Sequence, residues 1–345
     1  LDPARLQDAI AFAQAHQSTM DRDLARALDS GHFGEPMPLG ARVGPLRPRG
    51  GPAGLILLGG AEVARWGDVA RADPTFSIAK SYLALLAGIA VADGLIPDIH
   101  APVRELVADG GFDGPNAAIT WAHLLNLTSE WQGELFGKPD WIDHYRDLDG
   151  AERPPIGTKR PLQAPGHFWE YNNVRVNRLS LALLQVFQRP LPEILAERIM
   201  APIGASDTWE WHSYDTSWVD LEGQRVQSVP GGSHRGGGLW ISSLDHARLG
   251  QLMLQEGVWE GQQLLDPEWL RFCRTPCALN PSYGALWWLN TDRALYPAAP
   301  ETSFFAMGVG TQLLWIEPQH EMVVVLRWLE KAHVLAFLGK VMAAL

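Results

Sequence analysis

The sequence predicts an α/β (α+β) fold: a mainly antiparallel sheet flanked by helices, with a helical region inserted into it. Two observations predict this. Apolar β-type runs occur near both ends of the chain, at 55–66 and at 283–327, while the stretch between them reads as mostly helical. Strands at both ends with helices between them imply one sheet assembled from both ends. The expected organisation is a discontinuous sheet region, 1–95 and 275–345, and a mainly helical region, 96–274. The two are expected to form a single unit with a cleft between them.

The elements follow in order. Residues 7–30 read as a helix with Ile10, Phe12, Ala13, Leu24 and Leu28 as apolar positions. Gly31 to Gly54 is rich in Gly and Pro and has little periodicity, which predicts an extended arm. Leu55–Leu58, Gly59-Gly60 and Glu62–Trp66 read as a β-hairpin. An apolar helix opens at Ser77 and stops at Gly94, a residue suited to the left-handed position after a helix. Thr120 is the expected N-cap of a short helix from Trp121. Helices are expected at 174–187, 192–201 and 244–256, the last capped by Ser243. A glycine cluster, Gly231 to Gly238, precedes Leu239-Trp240-Ile241. Strands are expected at 283–289, 303–306, 311–316 and 322–327, with a turn at 317–321 and a last helix at 331–344.

Bulk properties bound the function. The 345 residues are 46 % hydrophobic and 19 % charged, as in a globular protein. The formal net charge is −11 with no basic block, which argues against nucleic acid and anionic membranes as partners. No apolar run is long enough to span a bilayer. The start, Leu1 to Leu6, lacks the basic and apolar regions of a secretory signal, so the expected location is cytoplasmic. Two cysteines, Cys273 and Cys277, read as free thiols, and without a second Cys/His cluster no metal site is expected. Among 15 tryptophans, Trp131, Trp169, Trp211 and Trp240 sit beside polar or turn residues. Most are expected in the core and a few along an apolar cleft.

The chemistry centres on Ser77 and Lys80. Residues three apart on a helix are neighbours, so the amine can reach the hydroxyl and take its proton. The helix start adds unpaired N–H groups that favour negative charge there. Tyr171 and Asn173 follow mid-chain: a phenol that can move protons, and an amide that holds the lysine or the substrate. A packed tyrosine with Asn173 as a helix N-cap is the plainer alternative for that pair. Late in the chain, Gly308 lies between two strands, and the N–H groups of Ser77 and Val309 are the expected oxyanion hole. A glycine bulge is the alternative there.

Phe76-Ser77-Ile78-Ala79-Lys80-Ser81, Leu124–Ser129, Tyr171-Asn172-Asn173, Gly236–Trp240 and Ala306-Met307-Gly308 together resemble the β-lactamase-related serine hydrolases. The resemblance covers roughly 50–345 and is nearest to the family VIII esterases and 6-aminohexanoate-dimer (nylon-oligomer) hydrolases. It implies a β-lactamase/transpeptidase-like fold, Ser77 as nucleophile, and Lys80 and Tyr171 sharing the acid and base roles. It also implies Asn173 at the family's amide position, no cofactor, and a small ester or amide as substrate.

One departure stands out. Where lactamases and peptidases carry a cation and a hydroxyl before the late glycine, this chain has Ala306 and Met307. Both are expected to make the wall apolar and to remove charge-assisted binding of a substrate carboxylate. A penicillin-recognising enzyme and a catalytically silent binding homologue are the rival readings. Trp131, His234 and Gly308 are further expected substrate contacts, with Arg235 beside His234. Glu170 reads as a solvated loop charge and His123 as a packed surface histidine.

Overall fold

A computed structural model describes residues 1–31, 34–232 and 235–345. Its main sheet has six antiparallel strands: β1 (Ala53–Leu58), β2 (Ala61–Trp66), and, from the far end of the chain, Trp288–Leu289, Phe304–Gly308, Gln312–Glu317 and Met322–Arg327. Two short strands and a longer one, Asp73–Pro74, Glu210–His212 and Gly238–Ile241, form a separate small sheet. In chain order these are β3 (Asp73–Pro74), β4 (Glu210–His212), β5 (Gly238–Ile241), β6 (Trp288–Leu289), β7 (Phe304–Gly308), β8 (Gln312–Glu317) and β9 (Met322–Arg327). The main sheet runs β6-β7-β8-β9-β1-β2, so the first and last strands of the chain lie side by side within it, with Ile56 opposite Val324.

The sheet is covered on both faces, which is why β8 and β9 read as unbroken apolar runs. Alternate residues still choose sides. Leu55, Phe304, Ala306, Leu314, Ile316, Val323 and Val325 join the large core formed with α3 (Ile78–Ala92) and α7 (Ser243–Leu254). Ile56, Phe305, Leu313, Trp315, Val324 and Leu326 pack with α1 (Pro3–Ala15) and α9 (Val334–Ala344). The β1–β2 turn is Gly59-Gly60 with φ of 56° and 79°, a left-handed pair that glycine adopts without strain.

Helix α3 is apolar all round, with every residue from Ile78 to Ala90 buried, as a central helix must be. Gly88 has no room for a side chain: a Cβ there would lie 2.3 Å from the Trp269 ring. The remaining α-helices among the described residues are α2 (Leu24–Asp29), α4 (Trp121–Leu125), α5 (Asn173–Phe187), α6 (Leu191–Leu195) and α8 (Pro267–Cys273).

Several expectations are corrected. The helix expected at 7–30 is two helices, because Ser18 leaves the helical path to donate its N–H to the Trp328 carbonyl. Ser242, not Ser243, caps α7, accepting from the Asp245 N–H. The strand expected at 283–289 shrinks to β6, since Leu286 has φ 59° and Gly284 packs where a Cβ would lie 2.1 Å from the Cys273 carbonyl oxygen. Between Ile96 and Asn172, α4 is the one α-helix; the rest is turns, short 3-10 segments and a small hairpin. Among the described residues, no helix is long and apolar enough to cross a membrane.

Candidate active site

The first turn of α3 is set up by an unusual bend. Phe76 has φ 49°, a left-handed conformation that costs a non-glycine residue roughly 1–3 kcal/mol. Its ring is held in a small cluster with Met20, Leu24, Leu28 and Trp328, which fixes the bend. Thr75 N–H donates to the Leu239 carbonyl on β5, and the chain then turns directly into the helix at Ser77. Ser77 is the N-cap residue, but its side chain makes no capping bond. Its hydroxyl is therefore left for other partners.

Lys80, 1 % exposed, supplies one: its Nζ lies 2.8 Å from Ser77 Oγ and donates to Asn173 Oδ1 at 2.7 Å. Asn172 caps α5 by accepting from Arg175 N–H, which corrects the N-cap alternative for Asn173. Asn173, the first residue of the helix, turns its amide to Lys80 instead. Gly232 allows the glycine-rich loop to close over this amide, since a Cβ there would lie 2.3 Å from Asn173 Oδ1.

Tyr171 is buried beside the pair, with Lys80 Nζ 4.7 Å from its ring centroid, over the face. Burial pushes the phenol up to about 12, against the opposing pulls of the Ser77 hydroxyl and the Arg146 charge. Burial likewise drives the Lys80 amine well below the usual lysine value, and Arg146 adds to this while Asp143 opposes it. Burial thus weakens both the ammonium form of Lys80 and the phenolate form of Tyr171.

Gly308 ends β7 against the same turn. A Cβ on it would lie 2.1 Å from the Thr75 carbonyl oxygen and 3.2 Å from Ser77 N, so glycine is required for this approach. Val309 follows and packs against the Phe76 cluster. Ala306 faces the α3 core, whereas Met307 faces the other side of the sheet, where its Sδ accepts from Tyr296 OH. The expected apolar wall of Ala306 and Met307 is corrected accordingly: strand alternation leaves Ala306 alone on the Ser77 face.

Other expectations fare differently. Trp131 is 3 % exposed and its indole donates to the Gly111 carbonyl, so it is a core residue and not a cleft wall. Glu170 is not solvated: it pairs with Arg160 at 2.9 Å and Arg175 at 3.1 Å in a buried cluster with Glu130. His123 closes a capping box, its Nδ1 facing the Thr120 N–H. His234 lies outside the described residues. Arg235 is buried and pairs with Glu35.

Beside Tyr171 lies an aromatic group, of which Trp169 alone is among the tryptophans singled out from the sequence. Trp288 stacks on Tyr171 at 5.8 Å between centroids, and Tyr283 meets Trp288 edge-on at 4.9 Å. Trp169 closes the group, 5.4 Å from Tyr283. Trp288, the first residue of β6, is partly exposed, whereas Trp287 just before it is fully buried.

Comparison with known proteins adds three findings. The family model described as Beta-lactamase matches residues 74–328. Protein Rv1367c of Mycobacterium tuberculosis is 27 % identical over 182 residues, 45 % of each chain. The chain thus spans less than half the length of that curated relative. Among solved structures, a Bacillus anthracis protein provisionally named a 6-aminohexanoate-dimer hydrolase aligns with TM-score 0.59 and 18 % identity, covering 93 % of this chain and 81 % of that one. A family VIII carboxylesterase aligns with TM-score 0.61 and 14 % identity, over 86 % and 93 %. At such identities the likeness to both is one of fold.

Proposed function

The chain belongs to the beta-lactamase family, within the β-lactamase-related serine hydrolases, and from that premise we propose that it cleaves a small, neutral ester or amide through an acyl-enzyme on Ser77. The observation that carries this reading is Lys80 Nζ 2.8 Å from Ser77 Oγ, in a setting that favours the neutral amine.

A neutral amine has two N–H groups and one lone pair. Asn173 Oδ1, which can only accept, takes one N–H and leaves the lone pair free to face the Ser77 hydroxyl. Lys80 then removes the Ser77 proton as Oγ attacks the substrate carbonyl carbon. The oxyanion is held by the N–H groups of Ser77 and Val309, at the helix start where negative charge is favoured. Tyr171, kept protonated by burial, donates its proton to the departing oxygen or nitrogen and recovers one from Lys80. Water, activated by the same amine, releases the acid. Every proton removed from Ser77 thus ends on the leaving group, and the next on the regenerated serine.

Neutrality of the acyl group follows from Ala306, which faces the site's side of the sheet without a charge to pair a carboxylate. The Trp288–Tyr283–Trp169 group beside Tyr171 suits an apolar portion of the substrate.

The test is hydrolysis of short-chain nitrophenyl esters by the wild type and by Ser77→Ala. The reading expects turnover by the first and its loss in the second with the fold unchanged by circular dichroism. Absence of wild-type turnover on esters and on small amides would sink it.

A further inference from the structure

We propose that Glu35, on the N-terminal arm outside the segment matched to the family, is a positioning residue for the Ser77 site, acting through Arg146 and Asp143 on the start of α5. The proposal rests on the hydrolase reading above.

A continuous chain of contacts leads from the arm to the nucleophile. The Glu35 side chain is fully buried and pairs with two guanidiniums, those of Arg146 and Arg235. Arg146 also pairs with Asp143, likewise fully buried. Asp143 Oδ2 in turn accepts the N–H groups of Asn173, at 2.7 Å, and Val174, at 3.3 Å. These are among the first N–H groups of α5, which have no partners inside the helix, and a carboxylate there is favoured by the helix dipole as well. Asn173 holds Lys80, and Lys80 holds Ser77. Glu35 therefore stands five contacts from the hydroxyl, each made between buried or largely buried groups.

The arm is built to keep Glu35 in place. Lys138 Nζ donates to the Leu39 carbonyl and, at 3.4 Å, to that of Ala41. Val43 N–H donates to the Arg235 carbonyl at 2.9 Å, and Gly237 N–H to the Pro45 carbonyl at 2.8 Å. Gly40 and Gly44 are close-packed: a Cβ on the first would lie 2.5 Å from the Arg235 guanidinium, and on the second 2.7 Å from Gly237 N. The Gly/Pro composition that marks this stretch as an irregular arm also permits its fit around Arg235.

The charges make the role more than a tether. Glu35 faces Arg146, Arg235, Lys138, Asp143 and the Tyr214 phenol. Lys80 feels Arg146 and Asp143 and lies against Tyr171, Ser77 and Asn173. Glu35 and Asp143 both offset the charge of Arg146. Removing the Glu35 charge leaves Arg146 under-compensated near Lys80, which disfavours the ammonium form, and loosens the guanidinium that steadies Asp143.

A buried pair that served stability alone would change the melting temperature and nothing else. The deciding measurement is the pH midpoint of Lys80, read by ¹³Cε-lysine NMR with Lys80→Met as the assignment control, in wild type and Glu35→Gln. Labelling of the serine by a fluorophosphonate is followed over the same pH range. The proposal expects the midpoint to move about half a unit to one unit toward lower pH, and labelling at its optimum to slow about tenfold. An unchanged midpoint with a lower melting temperature overturns it. If Glu35→Gln does not fold, Glu35→Asp, one methylene short of holding both guanidiniums, is expected to shift the midpoint less but in the same direction, and no shift there overturns the proposal too. Wild-type protein that resists labelling defeats the hydrolase reading, while the NMR midpoint still decides the part played by Glu35.

Discussion

Asn173 Oδ1 accepts a hydrogen bond from Lys80 Nζ at 2.7 Å, joining the first turn of α5 to the first turn of α3. The two helices come from segments about ninety residues apart in the chain, and the bond fixes the orientation of the lysine amine. An amide oxygen suits this task because it accepts without adding charge. A carboxylate in its place would stabilise the ammonium and disarm the base.

Asn173→Asp tests that distinction. The added negative charge raises the Lys80 pKa, so the neutral amine forms only at higher pH. At neutral pH, kcat/KM is expected to fall about tenfold or more and to recover as pH rises. A uniform loss at every pH would point to misfolding instead.

Stability should carry the same signature. The folded-state pKa of Lys80 lies below its ordinary value of 10.5, so between the two the unfolded chain binds more protons. Stability contributed through Lys80 therefore rises with pH across that window and is lost as pH falls toward the folded pKa. Urea unfolding at neutral and at alkaline pH should show the wild type gaining on Lys80→Met as pH increases.

Tyr171→Phe removes the proton donor and keeps the ring that stacks on Trp288. The expected loss in kcat is about 10²–10⁴, greatest for alkyl esters and amides, whose leaving groups need a proton. It should be least for nitrophenyl esters, whose leaving group departs as an anion. An equal loss for all would remove Tyr171 from the acid role.

Gly308→Ala places a methyl 2.1 Å from the Thr75 carbonyl oxygen. Because the clash is with backbone, β7 must move away from the Ser77 turn. Activity is expected to drop about a hundredfold, the scale of losing one oxyanion donor, with a smaller effect on KM. Steady-state kinetics of the purified variant give both quantities.

How much of this was legible in the sequence depended on what stabilises each part. The β1–β2 hairpin, the limits of α3, the Thr120 cap and strands β7 to β9 follow local rules of period, capping and turn residues, and the residues show them directly. Apart from the Thr120-capped α4, the stretch from 96 to 172 shows no such signal. Its loops are held by Glu130, Glu170, Arg160 and Arg175, which pair only once brought together from distant positions. Glu170 therefore reads as a surface charge although it is buried. Trp131 fails for a related reason: nothing local reveals that its indole N–H will find the Gly111 carbonyl. At the site, Ser77, Lys80 and Tyr171 are visible through the company they keep along the chain. Trp288 and the buried Glu35–Arg146–Asp143 series become visible only in three dimensions.

The most direct test of the account is to treat the protein with a fluorophosphonate and locate the adduct by peptide mass spectrometry. A single adduct on Ser77, abolished by Ser77→Ala and slowed by Lys80→Met, is the predicted result. An adduct on another serine, or none while the protein is folded and hydrolyses esters, would contradict it.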